Sequence, residues 1–272
     1  MISLDTKRMI YSFYVNDDSF EHPINKLHFK LLERYIHKFD EVIFCIIIDD
    51  KERYDLIQRI EEFVVSIFHK KLTFKIYDNT NYRESLVFYN EIATQMENLD
   101  GVTFFGHNKG ISDTDPIETV KMWVAAMYYF NLEFDLPYND LNGFTFYGSL
   151  KTNEIEADEI YVKDNLYQKN PWVYCGTFFW GKYQELDRVC KRQNRTIPHL
   201  TNRWYSEMFP GEMVETTYAR TYREREIIGQ LVIAGNIDEY IYATYYDEPG
   251  VYDDFITFFN QIKYEIGDMC DC

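Results

Sequence analysis

The first hundred residues alternate between two kinds of apolar pattern. Residues 10–15 (IYSFYV), 42–48 (VIFCIII), 72–77 (LTFKIY) and 102–105 (VTFF) are short runs rich in β-branched and aromatic side chains. Such runs suit strands, and an unbroken one like 42–48 suits a strand buried on both faces of a parallel sheet. Between them the apolar positions recur every three or four residues. Leu27, Leu31, Leu32 and Tyr35 mark a helix over 23–39, and the same spacing predicts helices over 54–68 and 83–99. Successive strands start about thirty residues apart, the length of a βαβ unit. The pattern therefore predicts an α/β fold built on a parallel sheet.

After residue 116 the rhythm changes. An aromatic- and Met-rich helix is expected over 117–131, strands over 143–148 and 173–179, helices over 182–192 and 204–208, and a final amphipathic helix over 251–266. No repeat, low-complexity tract or linker interrupts the chain. The expected organisation is one domain over 1–220 with a C-terminal helical extension over 221–272 packed on it.

Ligands of open α/β sheets bind beyond the carboxyl ends of the strands. The four early strands run into Asn16-Asp17-Asp18, Asp49-Asp50, Asp78-Asn79 and His107-Asn108-Lys109. Any one of these is an ordinary polar loop, since Asp and Asn start turns and cap helices. Four in register point to a site. Within it, Lys109 and His107 can meet a phosphate, and Gly110 lets the backbone approach closely. Asp113-Thr114-Asp115 can hold Mg²⁺ or Mn²⁺ against a diphosphate. It can equally cap the helix after Pro116, and a chain with 22 Asp supplies about two such pairs by chance. Arg83, opening the third helix, is placed to reach a phosphate or a base.

Two later segments add candidates. Gly176 interrupts the aromatic run 175–180 (CGTFFW), and a glycine in a strand often marks close approach of a ligand; Trp180 ends that run as core or as a sugar platform. Trp204-Tyr205-Ser206-Glu207 sets a carboxylate among rings, an environment that suits a general base. Walker, dinucleotide-binding, nucleophile-elbow and zinc-protease motifs are missing.

Composition narrows the classes. With 46% apolar residues the 272-residue chain can build a core. Its 45 acidic against 28 basic residues, net charge −17, argue against a nucleic-acid surface. Five cysteines without framework spacing fit a reducing compartment. The first residues lack an apolar signal core, and no run approaches the ~20 apolar residues of a membrane span. The expected location is the cytoplasm.

Several of these segments together resemble the GT-A-type glycosyltransferase-like proteins of polysaccharide synthesis. Phe104-Phe105-Gly106-His107-Asn108-Lys109-Gly110 is similar to that family's strand ending in a His-x-Lys-Gly turn. Cys175-Gly176-Thr177-Phe178-Phe179-Trp180 resembles its Ser-Gly-Asn-Phe-Trp-Trp strand, and Arg203-Trp204-Tyr205-Ser206-Glu207 its Arg-aromatic-x-x-Glu helix. The resemblance covers about residues 8–215. Cys175 and Thr177 depart from it, and the acidic pair Asp113/Asp115 stands six residues beyond the strand end that carries the metal-holding acids of GT-A enzymes.

The resemblance implies a GT-A-like (Rossmann-related) mixed sheet flanked by helices. It also implies transfer of a sugar from a nucleotide-sugar donor to a glycan or lipid-linked acceptor, which would allow peripheral membrane association. Asn16, Asp17 and Asp49 would bind the nucleoside. Arg83, His107, Asn108, Lys109 and Gly110 would face the diphosphate, with Asp113 and Asp115 holding Mn²⁺ or Mg²⁺ or with no cation at all. Gly176 and Trp180 would border the acceptor, and Glu207 would be the base. Two other readings stay open: a nucleotidyltransferase-type enzyme using the same edge, and a non-catalytic glycan- or partner-binding domain on the same fold.

Overall fold

The computed structural model describes residues 6–17, 19–108, 117–133, 145–148, 151–153, 172–174, 177–200, 203–213, 219–220, 264 and 267–270. The four early strands form as expected: β1 (Lys7–Val15), β2 (Glu41–Ile48), β3 (Lys71–Asp78) and β4 (Val102–His107). They pair in parallel in the order β3-β2-β1-β4. Between them run α1 (Pro23–Tyr35), α2 (Tyr54–Ile67) and α3 (Glu84–Phe88). The α4 helix (Ile117–Tyr128) follows β4.

The sheet becomes mixed beyond β4. There β8 (Phe179–Gly181) pairs antiparallel with β4, β5 (Phe146–Gly148) pairs antiparallel with β8, and a two-residue strand β9 (Ala219–Arg220) adds parallel to β5. A separate hairpin joins β6 (Lys151–Asn153) to β7 (Trp172–Tyr174). The predicted strand 173–179 is thus two strands in two sheets. Thr177, which precedes the second of these strands, has a φ of +57°. Two further helices follow, α5 (Tyr183–Gln193) and α6 (Tyr205–Met213). The predicted helix 251–266 lies almost wholly outside the described residues.

Strand alternation divides the core into two layers. Met9, Tyr11, Phe13 and Val15 of β1 point to one face with Val42, Phe44, Ile46 and Ile48 of β2, where α1, α2 and α4 cover them. Ile10 of β1 and Cys45 and Ile47 of β2 point to the other, beneath α3, α5 and α6. Period-2 alternation on strands apolar at nearly every position makes this a three-layer α/β/α arrangement. The α1 helix begins with Pro23 at its first position and His22 as N-cap, whose Nδ1 accepts from the Ile24 N–H at 3.3 Å. It buries Ile24, Leu27, His28, Leu31, Leu32 and Tyr35 as one stripe.

The predicted helix 83–99 is broken. Regular helix stops at Phe88, a π-helical turn covers Tyr89–Ala93, and a 3₁₀ turn follows at Met96–Asn98. The wider turn carries Glu91 inward, where its carboxylate is 5% exposed and accepts from Lys75 Nζ at 2.5 Å and from the Tyr77 hydroxyl. Burying a charge demands such partners, and they all come from β3. The edge strand and the helical layer are thereby tied together.

A buried ionic hub holds the amino ends of the strands. Arg8 Nε reaches Glu41 Oε2 at 2.7 Å, and its other nitrogens reach Asp100 Oδ1 at 2.9 Å and the Asp100 carbonyl at 3.1 Å. Desolvation makes such a pair worth little net stability. A one-residue slip of β1 against β2 would strand both charges, so the hub pins register. Gly101 completes the turn into β4: its φ is +69°, and a Cβ there would lie 2.2 Å from the Thr6 carbonyl oxygen.

Candidate functional site

The chain leaves β1 toward β2 on one side, and β4 returns on the other side of β1. The strand order therefore reverses between β1 and β4, and that reversal opens a crevice at their carboxyl ends. Every described residue of the predicted nucleotide-facing set lies at this edge: Asn16 and Asp17 after β1, Asp49 after β2, Arg83 before α3, and His107 and Asn108 at the end of β4.

Asn108 closes the floor of the crevice. Its backbone N–H donates to the Ser12 carbonyl at 3.1 Å, continuing the β1–β4 ladder. Its side-chain oxygen accepts from the Tyr14 N–H at 2.8 Å, and its amide nitrogen donates to the Tyr14 carbonyl at 2.8 Å and to Asn25 Oδ1 at 3.1 Å. The amide imitates one more residue of backbone. Asn25 Nδ2 in turn donates to the Ser19 carbonyl at 2.9 Å, and Ser19 Oγ donates to Asn16 Oδ1 at 2.8 Å. Asn108, 6% exposed, thus uses its amide to shape the loop after β1.

Asp49 anchors the middle of the rim. Its Oδ2 accepts from the Tyr14 hydroxyl at 2.6 Å and its Oδ1 from Asn79 Nδ2 at 2.7 Å. Burial, and then the bond to Asp49, push the Tyr14 phenol up to about 12. The Arg83 guanidinium acts on the same phenol in the opposite direction, so it lies within electrostatic reach of this pair. Arg83 is exposed and forms no ion pair with any described carboxylate. Its backbone has φ 49° and ψ −132°, a region that favours glycine. The remaining charges of the rim pair with one another: Asp17 with Arg53, Asp78 with Lys51 at 2.9 Å, and Asp50 caps its own turn through the Glu52 N–H at 2.8 Å.

The α6 helix brings in Glu207 from a hundred residues further along the chain. A pair of serines bolts its first turn to the first turn of α3. Ser85 Oγ donates to the Arg203 carbonyl at 2.7 Å, accepts from the Ser206 N–H at 3.1 Å and lies 3.0 Å from Ser206 Oγ. Arg83 is two residues from one serine and Glu207 is next to the other. The bolt therefore sets the backbone spacing of this cation and this carboxylate. Arg203 itself lies over the Trp204 ring at 4.2 Å.

Glu207 is 5% exposed, and its Oε1 accepts from Thr177 Oγ1 at 3.4 Å. As β8 runs antiparallel to β4 with Phe179 opposite Phe105, the residues just before Phe179 run toward the carboxyl end of β4. Phe178 lies there, its ring 6.0 Å from that of His107, which is 7% exposed. Thr177, the residue before Phe178, donates to Glu207. A β-branched residue at positive φ is an outlier costing on the order of 1–3 kcal/mol. Among the described residues three non-glycines have positive φ: Asn194 ends a helix in the usual way, and Arg83 and Thr177 both lie at this edge.

Trp180 is a core side chain rather than a surface platform. It is 4% exposed, stacks on Phe39 at 5.3 Å and donates its indole N–H to the Asn131 carbonyl at 3.0 Å. Its strand position turns it into the layer covered by α1 and α4. Lys109, Gly110, Asp113, Asp115 and Gly176 lie outside the described residues. Tyr14, Thr177 and the Ser85–Ser206 pair escaped the sequence reading as site residues. Tyr14 carried a faint signal, as the penultimate residue of a strand that empties into a polar loop; the serines carried none, because their pairing spans 121 residues.

Among the described residues, no group of three or more His, Cys, Asp and Glu side chains is arranged to hold a metal ion. The rim carboxylates Asp17, Asp49 and Asp78 are engaged by protein donors, which makes them a poor donor set for Mn²⁺ or Mg²⁺. No helix among those residues is long and apolar enough to cross a membrane.

Fold and site together define a three-layer α/β protein with a mixed sheet and a polar crevice at its switch point. No family model matches this chain, and no curated protein matches it.

Proposed function

We propose that the protein is a GT-A-type glycosyltransferase that uses a nucleotide-diphosphate sugar. The observation that carries this reading is the juxtaposition at one sheet edge of an exposed arginine, free of ion pairs among the described residues, and a buried glutamate, held at set spacing by the serine bolt. Transfer of a sugar from a diphosphate needs both: a cation where negative charge develops on the leaving group, and a base for the incoming hydroxyl. The polar rim around Asp49 and Tyr14 adds acceptors and an aromatic ring for a nucleoside.

In a single displacement the acceptor hydroxyl oxygen attacks the anomeric carbon as the bond to the diphosphate oxygen breaks. Glu207 takes the hydroxyl proton, and the diphosphate leaves with the bonding electron pair, its charge met by Arg83. His107 stands where the sugar diphosphate would cross the end of β4. The described carboxylates offer no open metal set.

Thermal-shift titration with UDP, GDP, UDP-glucose and GDP-mannose, with and without Mn²⁺, tests the reading. Stabilisation by a nucleoside diphosphate is expected, and Arg83→Ala should weaken it by about 10–100-fold in Kd, the loss of one charge-assisted hydrogen bond. Glu207→Gln should retain donor affinity and lose turnover. A wild-type protein unmoved by every nucleotide would sink the proposal.

A further inference from the structure

We infer that Thr177 is a positioning residue for Glu207: its hydroxyl fixes the carboxylate in the orientation that proton abstraction requires. This deepens the transferase reading and rests on it. Thr177 is fully buried and held at φ +57°, where its branched side chain is disfavoured. Such an outlier persists only when its surroundings over-determine it, and outliers of this kind gather at working sites. At this position Thr177 Oγ1 donates to Glu207 Oε1 at 3.4 Å.

Glutamate has three side-chain torsions, and a base that samples several rotamers is misaligned for much of the time. Two devices remove that freedom here. Ser85 and Ser206 immobilise the backbone of the first turn of α6, and Thr177 constrains the far end of the side chain. A hydroxyl donor occupies one lone pair of the carboxylate and leaves others to accept a proton. Alignment within a few tenths of an ångström is what such supporting contacts provide.

The test uses two substitutions that differ only in the hydroxyl. Thr177→Val keeps shape and branching and removes the donor; Thr177→Ser keeps the donor. Release of nucleoside diphosphate from UDP-glucose and GDP-mannose, with water as acceptor, is measured in the full-length protein. Thr177→Val should lower kcat by about 10–100-fold while the donor KM stays within about twofold, and Thr177→Ser should recover most of the rate. A packing role alone would not produce that split or that rescue. A second readout needs no turnover: melting temperatures of Thr177→Val, Glu207→Leu and the double variant should be non-additive by about 2 °C. If the wild-type protein turns over neither sugar, the transferase reading and the proton-abstraction role fall together, while the melting cycle still reports the contact. With turnover present, a Thr177→Val enzyme of wild-type kcat, a serine variant as slow as the valine one, or strictly additive melting temperatures would overturn the inference.

Discussion

Replacing Asn108 by alanine should destabilise the protein before any ligand is considered. The side chain makes three hydrogen bonds, to the Tyr14 N–H and carbonyl at 2.8 Å each and to Asn25 Oδ1 at 3.1 Å, in a position 6% exposed. A typical intramolecular hydrogen bond contributes about 1 kcal/mol net, and leaving buried partners unmet costs more. The expected loss is therefore about 3 kcal/mol. For a chain of this size that corresponds to roughly 6–10 °C in Tm. Urea denaturation followed by far-ultraviolet circular dichroism measures it, with an unchanged m-value showing that the unfolded state is not the cause.

Asn108→Asp sharpens the test. It is isosteric and still accepts from Tyr14, but it sets carboxylate oxygens against the Tyr14 carbonyl and Asn25 Oδ1. Repulsion and burial raise the introduced group's folded pKa above its unfolded value near 4. Stability is then highest at low pH and declines as pH rises through the interval between the two pKa values. At pH 7 Asn108→Asp should be at least as unstable as Asn108→Ala, and the gap should close toward pH 4. A loss below about 1 kcal/mol in Asn108→Ala, or no pH dependence in Asn108→Asp, would refute the clamp.

Two further outcomes follow from titratable groups. The Tyr14 phenol, pushed up to about 12, has a folded pKa above its unfolded one. Its contribution to stability is complete below pH 10 and is lost as pH rises toward 12; burial raises Tyr11, Tyr35, Tyr77, Tyr128, Tyr183 and Tyr205 as well, so ultraviolet difference titration should show several late tyrosines, one fewer of them in Asp49→Asn. Glu212, on the inner side of α6, is raised to about 7 by burial. Its folded pKa lies above the unfolded value of 4.5, so its contribution is present below that value and is lost between pH 4.5 and 7. Glu212→Gln should flatten that decline in a series of urea melts; an unchanged slope would mean the carboxyl is solvated.

The parts of the fold legible in the sequence are those written in local periodicity. The run 42–48 announces a doubly buried strand because each of its side chains, on either face, meets a helical layer. Leu27, Leu31, Leu32 and Tyr35 announce a helix because they line one side of it. The end of each early strand was legible too, since a strand must surrender its polar loop where the sheet stops. Less was visible after residue 130. The stretch 173–179 looks like one strand, and only the sheet pairing shows that its two ends belong to different sheets. The helix 83–99 looks continuous, and only the partners of Glu91 in β3 favour the wider turn.

At the edge where His107 and Asn108 end β4, the sequence by itself determined that acid, amide and basic groups collect, because parallel strands with helical crossovers must all finish on the same side. It could not assign their roles. Asn108 looked like a ligand group, and the fold makes it a piece of backbone. Trp180 was open between core and acceptor platform, and the strand's alternation puts it in the core. Glu207 was a candidate base in the sequence, but its partners Thr177 and the Ser85–Ser206 pair were visible only in the fold. Local pattern reports which face of an element is apolar. Which polar groups meet is decided by long-range packing, because their contacts join segments whose separation along the chain leaves no periodic trace.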